Sequence, residues 1–195
     1  STFTGVSFQE PIEGKIVSNT YESSGEIEIT LNGKISSSSL YEWSDLFWLS
    51  RADGVFDYTA VVNVPYGNST EGVYIEANSN LVGMSIDLPY PLGKKEVDES
   101  RQFEYGQRIM ENEDLIDIII GENLHASLRM SDGIAVGGRI HFGDEPIGNV
   151  SYDHVRLSGR LDYLDVEHWL TAIGELGKVT DVFQDNRVAE HVESA

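Results

Sequence analysis

Apolar and polar residues alternate along most of the chain, and Gly, Asn, Asp or Pro break the alternation at short intervals. This period of two predicts an all-β fold whose strands are wet on one side and dry on the other. A first strand is expected over residues 12–21. Glu26 to Leu31 alternates strictly, and Asn32-Gly33 after it predicts a hairpin turn before Ile35 resumes. From Val55 to Val64, the residues Phe56, Tyr58, Ala60, Val62 and Val64 share one side, and Pro65 and Gly67 end the run. Val73, Ile75 and Ala77 form the next apolar side. Val82, Met84, Ile86 and Leu88 form another, stopped by Pro89-Tyr90-Pro91, whose prolines cannot donate to a ladder.

Phe103 and Tyr105, then Leu115 to Ile120, continue the strands. Leu124, Ala126, Leu128 and Met130 are expected to pair with Ile134, Val136, Gly138, Ile140 and Phe142 about the tight-turn sequence Ser131-Asp132-Gly133. Val155, Leu157, Gly159 and Leu161 make the last clear strand. Residues 179–192 fit either one more strand or a docking tail.

Two segments change period. Ser39 and Glu42 stand as a capping box ahead of Leu40, Trp43 and Phe47, which predicts a helix from Ser39 to about Leu49. Asp165 is placed to cap a second helix, to about Ile173, with Val166, Trp169, Leu170 and Ile173 on one face. Trp43, Phe47 and Trp169 are the expected helix-packing residues. The polar run 94–100 is expected to be a mobile loop, and 93–101 is the one candidate internal boundary in an otherwise single β-rich segment, 1–195.

Composition narrows the partners. Against 33 Asp and Glu stand 13 Lys and Arg, a formal charge of -20 that repels nucleic acid phosphates. The absence of cysteine excludes disulfides and thiolate chemistry. No apolar run approaches the length of a membrane span.

Candidate chemistry is sparse. The histidines, at 125, 141, 154, 168 and 191, include no i,i+4 pair of the zinc-binding kind, so no metal site is expected. His125 and His141 can meet across their hairpin as polar surface residues. Asp162, Asp165 and Glu167 crowd His168, but carboxylate clustering is common in so acidic a chain, and capping is the better use of Asp165. Gly133, Gly137 and Gly138 match no nucleotide-binding loop. No cofactor is expected. What remains is the sheet, whose apolar side either closes as an ordinary core or stays open to hydrocarbon; alternation alone does not decide which.

Several segments resemble the YhdP subgroup of the AsmA-like envelope proteins. The most specific is Ser79-Asn80-Leu81-Val82-Gly83-Met84-Ser85-Ile86-Asp87-Leu88-Pro89-Tyr90-Pro91-Leu92-Gly93-Lys94, in which Asn80 stands where the family commonly has Asp. Gly54 to Tyr58 and Ala60 to Pro65 upstream, and Gly137 to Gly143 and Leu157 to Leu170 downstream, are similar to family segments in the same order.

The resemblance implies a mainly β fold: a long curled antiparallel sheet, an open or taco-like groove, with one or two short packing helices. It implies a periplasmic segment of a long Gram-negative protein anchored in the inner membrane, with no membrane span in this piece. The implied function is non-enzymatic. Phospholipids pass along a bridge between the inner and outer membranes, in support of the outer-membrane barrier. Its partners are then phospholipid acyl chains, adjoining segments of the same long chain and other envelope proteins. The lipid-facing residues expected on this basis are Val82, Met84, Ile86, Leu88, Leu124, Ala126, Leu128, Ile134, Val136, Ile140, Val155, Leu157 and Leu161. A structural or protein-interaction scaffold is the alternative, and a glycan-active enzyme, which needs paired carboxylates in a pocket, comes third.

Overall fold

A computed structural model of the chain describes residues 1–8, 10–20, 24–44, 47–68, 72–143, 153–172 and 174, with no account of the side chains of 43, 44, 47 and 48. Its strands are β1 (Thr2–Ser7), β2 (Glu10–Thr20), β3 (Ser24–Ser36), β4 (Ala52–Gly67), β5 (Val73–Ser79), β6 (Met84–Ile86), β7 (Phe103–Ile109), β8 (Asp114–Ile120), β9 (Leu124–Ser131), β10 (Ile134–Phe142) and β11 (Val155–Gly159). A helix, α1 (Ser37–Ser44), and a 3₁₀ turn, Phe47–Arg51, join β3 to β4.

Ten strands form one sheet in the order β1-β2-β3-β4-β5-β7-β8-β9-β10-β11, and β6 pairs with β4 off this path. The expected curled, taco-like groove is not present: β1 and β11 are the two ends of an open path, and the sheet is neither closed nor strongly curled. The pairings explain this. Bending a sheet sharply takes bulges or kinks in successive strands, and register here runs without a break from β1 to β9, with one shift in β10 between Ala135 and Gly137. Alternation in the sequence determines which side is apolar and carries no information about curvature.

The sheet is also not antiparallel throughout. β11 runs parallel to β10, Ile140 opposite Leu157. A parallel neighbour needs a connection of about a dozen residues or more, and 12 residues separate Phe142 from Val155 in the sequence.

Three local expectations fail for identifiable reasons. Asn32-Gly33 is no turn; β3 continues through it, with Asn32 opposite Glu13 and Thr59, and Gly33 opposite Ile12 and Tyr58. Any side chain at Gly33 meets Ile12 at 2.8 Å, so the glycine makes room for its cross-strand neighbours. The strand expected from Val82 to Leu88 shrinks to β6. The first helix starts earlier than its supposed capping box, because Ser36 rather than Ser39 is the cap: the Ser39 N–H donates to Ser36 Oγ at 3.0 Å. The second helix does begin at its cap, as the helical turns at 166–172 follow Asp165, whose Oδ1 accepts the His168 N–H at 3.0 Å. The tight turn at Ser131-Asp132-Gly133 is present, with Asp132 and Gly133 both at positive φ. Residues 179–192 lie outside the described residues.

A small core sits at one end of β3 and β4. Ile35, Phe56, Leu81, Met84 and Ile86 are buried together, and Leu40, Ala52, Tyr58, Leu88 and Phe103 pack around them. Two glycines allow this. Gly54 and Gly83 both have positive φ, and a Cβ on either lies 2.1 Å from a carbonyl oxygen of the facing segment. The 80–101 segment therefore lies flush on β4, joined by Val55 N–H to Gly83 O at 3.1 Å.

Lys94 locks that segment. Its side chain is fully buried, and Nζ donates to Met84 O at 2.7 Å, Glu96 O at 2.6 Å and Val97 O at 3.3 Å, which uses all three ammonium hydrogens. Burial pushes the Lys94 pKa below its usual value. The polar run that opens at Lys94 is thus anchored at its first residue.

Lys94→Met takes the ammonium from three carbonyls, of which Glu96 O keeps the Glu99 N–H and Val97 O the Gly83 N–H, and is expected to destabilise the protein by about 1–3 kcal/mol. Gly83→Ala, which forces backbone apart, costs a similar amount; urea unfolding measures both. For Asp165, the His168 N–H first of all, with the Tyr163 hydroxyl and His168 ring, holds the carboxyl below its usual range. A pKa lowered by folding means that the cap's contribution is complete above the unfolded value of about 3.9 and is lost as pH falls through the folded one. The Asp165 carboxyl carbon resonance should show a titration midpoint below about 3.9, and Asp165→Asn should remove that transition.

Candidate functional site

Register decides what shares a side, because residues directly opposite in neighbouring strands point the same way and a slip of one residue inverts them. One row crosses all ten strands: Phe3, Gly14, Leu31, Ala60, Ala77, Tyr105, Ile118, Ala126, Ile140 and Leu157. The next row, two residues along, is Ile16, Ile29, Val62, Ile75, Gln107, Ile116, Leu128, Gly138 and Val155. Adjacent strands lie about 4.8 Å apart, so this apolar side extends for roughly 43 Å across the sheet. Glycine in the first row does not leave a gap, since the Phe3 ring lies over Gly14.

The reverse side is polar. One of its rows reads Thr4, Glu13, Asn32, Thr59, Asn78, Glu104, Ile119, His125, His141 and Ser158. Glu26, Glu28, Asp57, Glu76 and Asp117 lie on the same side. Most of the acidic surplus of the described strands is therefore kept away from the apolar rows, where it would be costly to desolvate.

Among the described residues the apolar side is covered at one end only. There α1, the 3₁₀ turn and β6 pack on β3 and β4, and Ile35 and Phe56 are buried. Along the rest of it most side chains are half-buried by their neighbours, and Phe3, Ile16, Ile109 and Leu157 are exposed, Leu157 to 67%. A surface that accepts hydrocarbon without enclosing it fits this arrangement. A shallow depression near the N-terminal strands, by contrast, is lined by Glu13, Asn32, Asp57 and Thr59 on the polar side.

The residues proposed from sequence as lipid-facing divide into three groups. Leu124, Ala126, Leu128, Ile140, Val155 and Leu157 lie together on the apolar side. Met84 and Ile86 lie inside the small core, with Leu88 packed against it and Val82 exposed at 37%. Ile134 pairs with Ser131 on the polar side and is 68% exposed, Val136 falls in the register shift, and Leu161 lies beyond the end of β11. Trp169 packs near the 80–101 segment and donates from Nε1 to Tyr90 O at 2.9 Å. The side chains of Trp43 and Phe47 lie outside the described residues.

The sequence reading omitted the N-terminal half of this surface, Ile16, Ile29, Leu31, Val62 and Ile75, although the alternation of β3 and β4 was legible. It also omitted Phe3, and a polar group within the apolar rows. There the Tyr105 hydroxyl donates to Gln107 Oε1 at 2.8 Å, and Gln107 Nε2 donates to Asp114 Oδ2 at 3.0 Å. No hydropathy pattern identifies such a group, because it comes from two strands.

His125 and His141 do face each other across β9 and β10. His141 is buried, and its Nδ1 lies 2.9 Å from an Arg139 guanidinium nitrogen and 3.0 Å from Ser158 Oγ. This network ties β11 to β10. Among the described residues no three His, Asp or Glu side chains are gathered as a metal site requires. His168 Nδ1 contacts Asp165 Oδ2 at 2.6 Å within the exposed helix cap. No helix among the described residues is long and apolar enough to cross a membrane.

Neither the curated proteins nor the solved structures contain a significant match to this sequence. The family model described as YhdP protein matches residues 3–194, nearly the whole chain. With the one-sided sheet, that match carries the non-enzymatic, phospholipid-transporting bridge role of the family. The chain belongs to the YhdP protein family.

Proposed function

We propose that this chain serves its family's role by laying phospholipid acyl chains along the open apolar side of its sheet, within the periplasm of a Gram-negative envelope. The observation that supports the reading is the ten-strand row from Phe3 to Leu157, apolar but for the Tyr105 hydroxyl and, among the described residues, covered only where the small core packs on β3 and β4. Each methylene withdrawn from water onto such a row is favourable by about 0.8 kcal/mol. An open, continuous surface also gives an acyl chain no deep well in which to be trapped, which suits passage better than storage. The residues proposed to touch lipid are Leu124, Ala126, Leu128, Ile140, Val155 and Leu157, joined by Ile29, Leu31, Val62, Ile75 and Ile118.

Photo-reactive residues placed at Ile29 and Leu128 in the intact protein should form lipid adducts, whereas the same probes at their reverse-side neighbours Glu28 and Ser127 should not. Equal labelling of the two sides would overturn the reading. A charge in the rows gives a second check. Ile118→Glu should lower the lipid recovered with detergent-free protein by about tenfold, the equivalent of roughly two methylene contacts. Ile119→Glu, on the other side, should leave the recovery unchanged.

A further inference from the structure

The polar group formed by Tyr105, Gln107 and Asp114 is out of place in its surroundings. Across the strands Gln107 is flanked by Ile75 and Ile116, and Asp114 by Ile109 and Met130. In the paired rows of this side, among the described residues, the charged side chains are Asp114 and Glu10, and Glu10 stands at the opposite end, where β2 begins. An uncompensated carboxylate beside hydrocarbon is unfavourable.

The neighbouring cations do not compensate it. Arg108 lies on the polar side with its guanidinium 5.7 Å from the Tyr74 ring centre, and Arg129 on that side pairs with Glu113 at 3.2 Å. Gln107 donates to one carboxylate oxygen of Asp114 and orients it. Burial, and secondarily the negative charge of Asp114, raises the Tyr105 pKa, so the phenol remains a donor to Gln107. The result is a fixed negative charge beside the β7–β8 turn. The rows of Ile116 and Ile118 run inward from it, two residues or about 7 Å apart.

We infer that Asp114, oriented by Gln107 at the margin of the apolar side, favours phospholipids whose headgroup carries a primary ammonium. This rests on the lipid-contact reading above. A primary ammonium supplies both the missing counter-charge and N–H donors for the carboxylate. With the headgroup there, the acyl chains fall over Ile116 and Ile118. A headgroup bearing only the phosphate charge and hydroxyls is repelled by the same carboxylate.

The test incubates the intact protein with vesicles of equimolar phosphatidylethanolamine and phosphatidylglycerol, re-isolates it, and measures the bound lipids by mass spectrometry. The wild-type protein should carry phosphatidylethanolamine enriched about threefold over the vesicle ratio, the scale of one partly exposed ion pair. Asp114→Asn, which keeps an acceptor for Gln107, should return the ratio to that of the vesicles, and Asp114→Lys should invert it. Asp117→Asn, on the polar side, should leave the enrichment in place. Bound lipid at the vesicle ratio in the wild type, or enrichment that survives Asp114→Asn, overturns the inference and leaves the lipid-contact reading standing. No bound lipid in the wild type overturns both.

Discussion

Register is the constraint on which the rest of the structure depends. Each strand pair has to align so that the oily residues of ten strands emerge together, and a slip of one residue in any strand would place its apolar set among carboxylates. The long pairing of β3 with β4, from Ser24 opposite Gly67 to Ser36 opposite Val55, fixes the centre. Shorter strands add to it on either flank. A charge of -20 could easily have disrupted this, yet in the described strands it lies mostly on the reverse of the sheet, where Lys34 and Asp57 can pair in solvent at 2.8 Å.

The small core performs a different task from the surface. It occupies one end of β3 and β4, held by a buried ammonium on three carbonyls and by two glycines that let backbones touch. Stability concentrated there leaves the remaining apolar rows under no obligation to be filled by the chain's own side chains. A globular domain cannot usually do this, since its apolar side is its core.

Much of this was legible in the sequence, and what was not has physical causes. Period two identified strands from β2 to β11 and the sides of β4, β9 and the part of β10 after its register shift, because burial of one side leaves a strict trace. Asn32-Gly33 misled because a turn signal is a local preference, overridden where Ile12 and Tyr58 need space beside a glycine. β1 escaped notice because Thr2–Ser7 offers little alternation. The parallel direction of β11 depends on where residues 143–154 carry the chain, and curvature depends on bulges, neither of which hydropathy records. Of the candidate surface, the C-terminal part was named, and β6 was wrongly grouped with it because alternation is the same in a strand that leaves the sheet.

The parallel placement of β11 has a consequence for traffic. By returning to the same direction as β10, the chain leaves the sheet beside Phe142, at the end that already holds the small core, and the following helical turns reach back to Tyr90. The opposite end is bordered, between β7 and β8 and between β9 and β10, by short reversals. Among the described residues one border of the sheet therefore carries the protein's own masonry over β3 and β4, while along those strands the other is a low kerb of short turns.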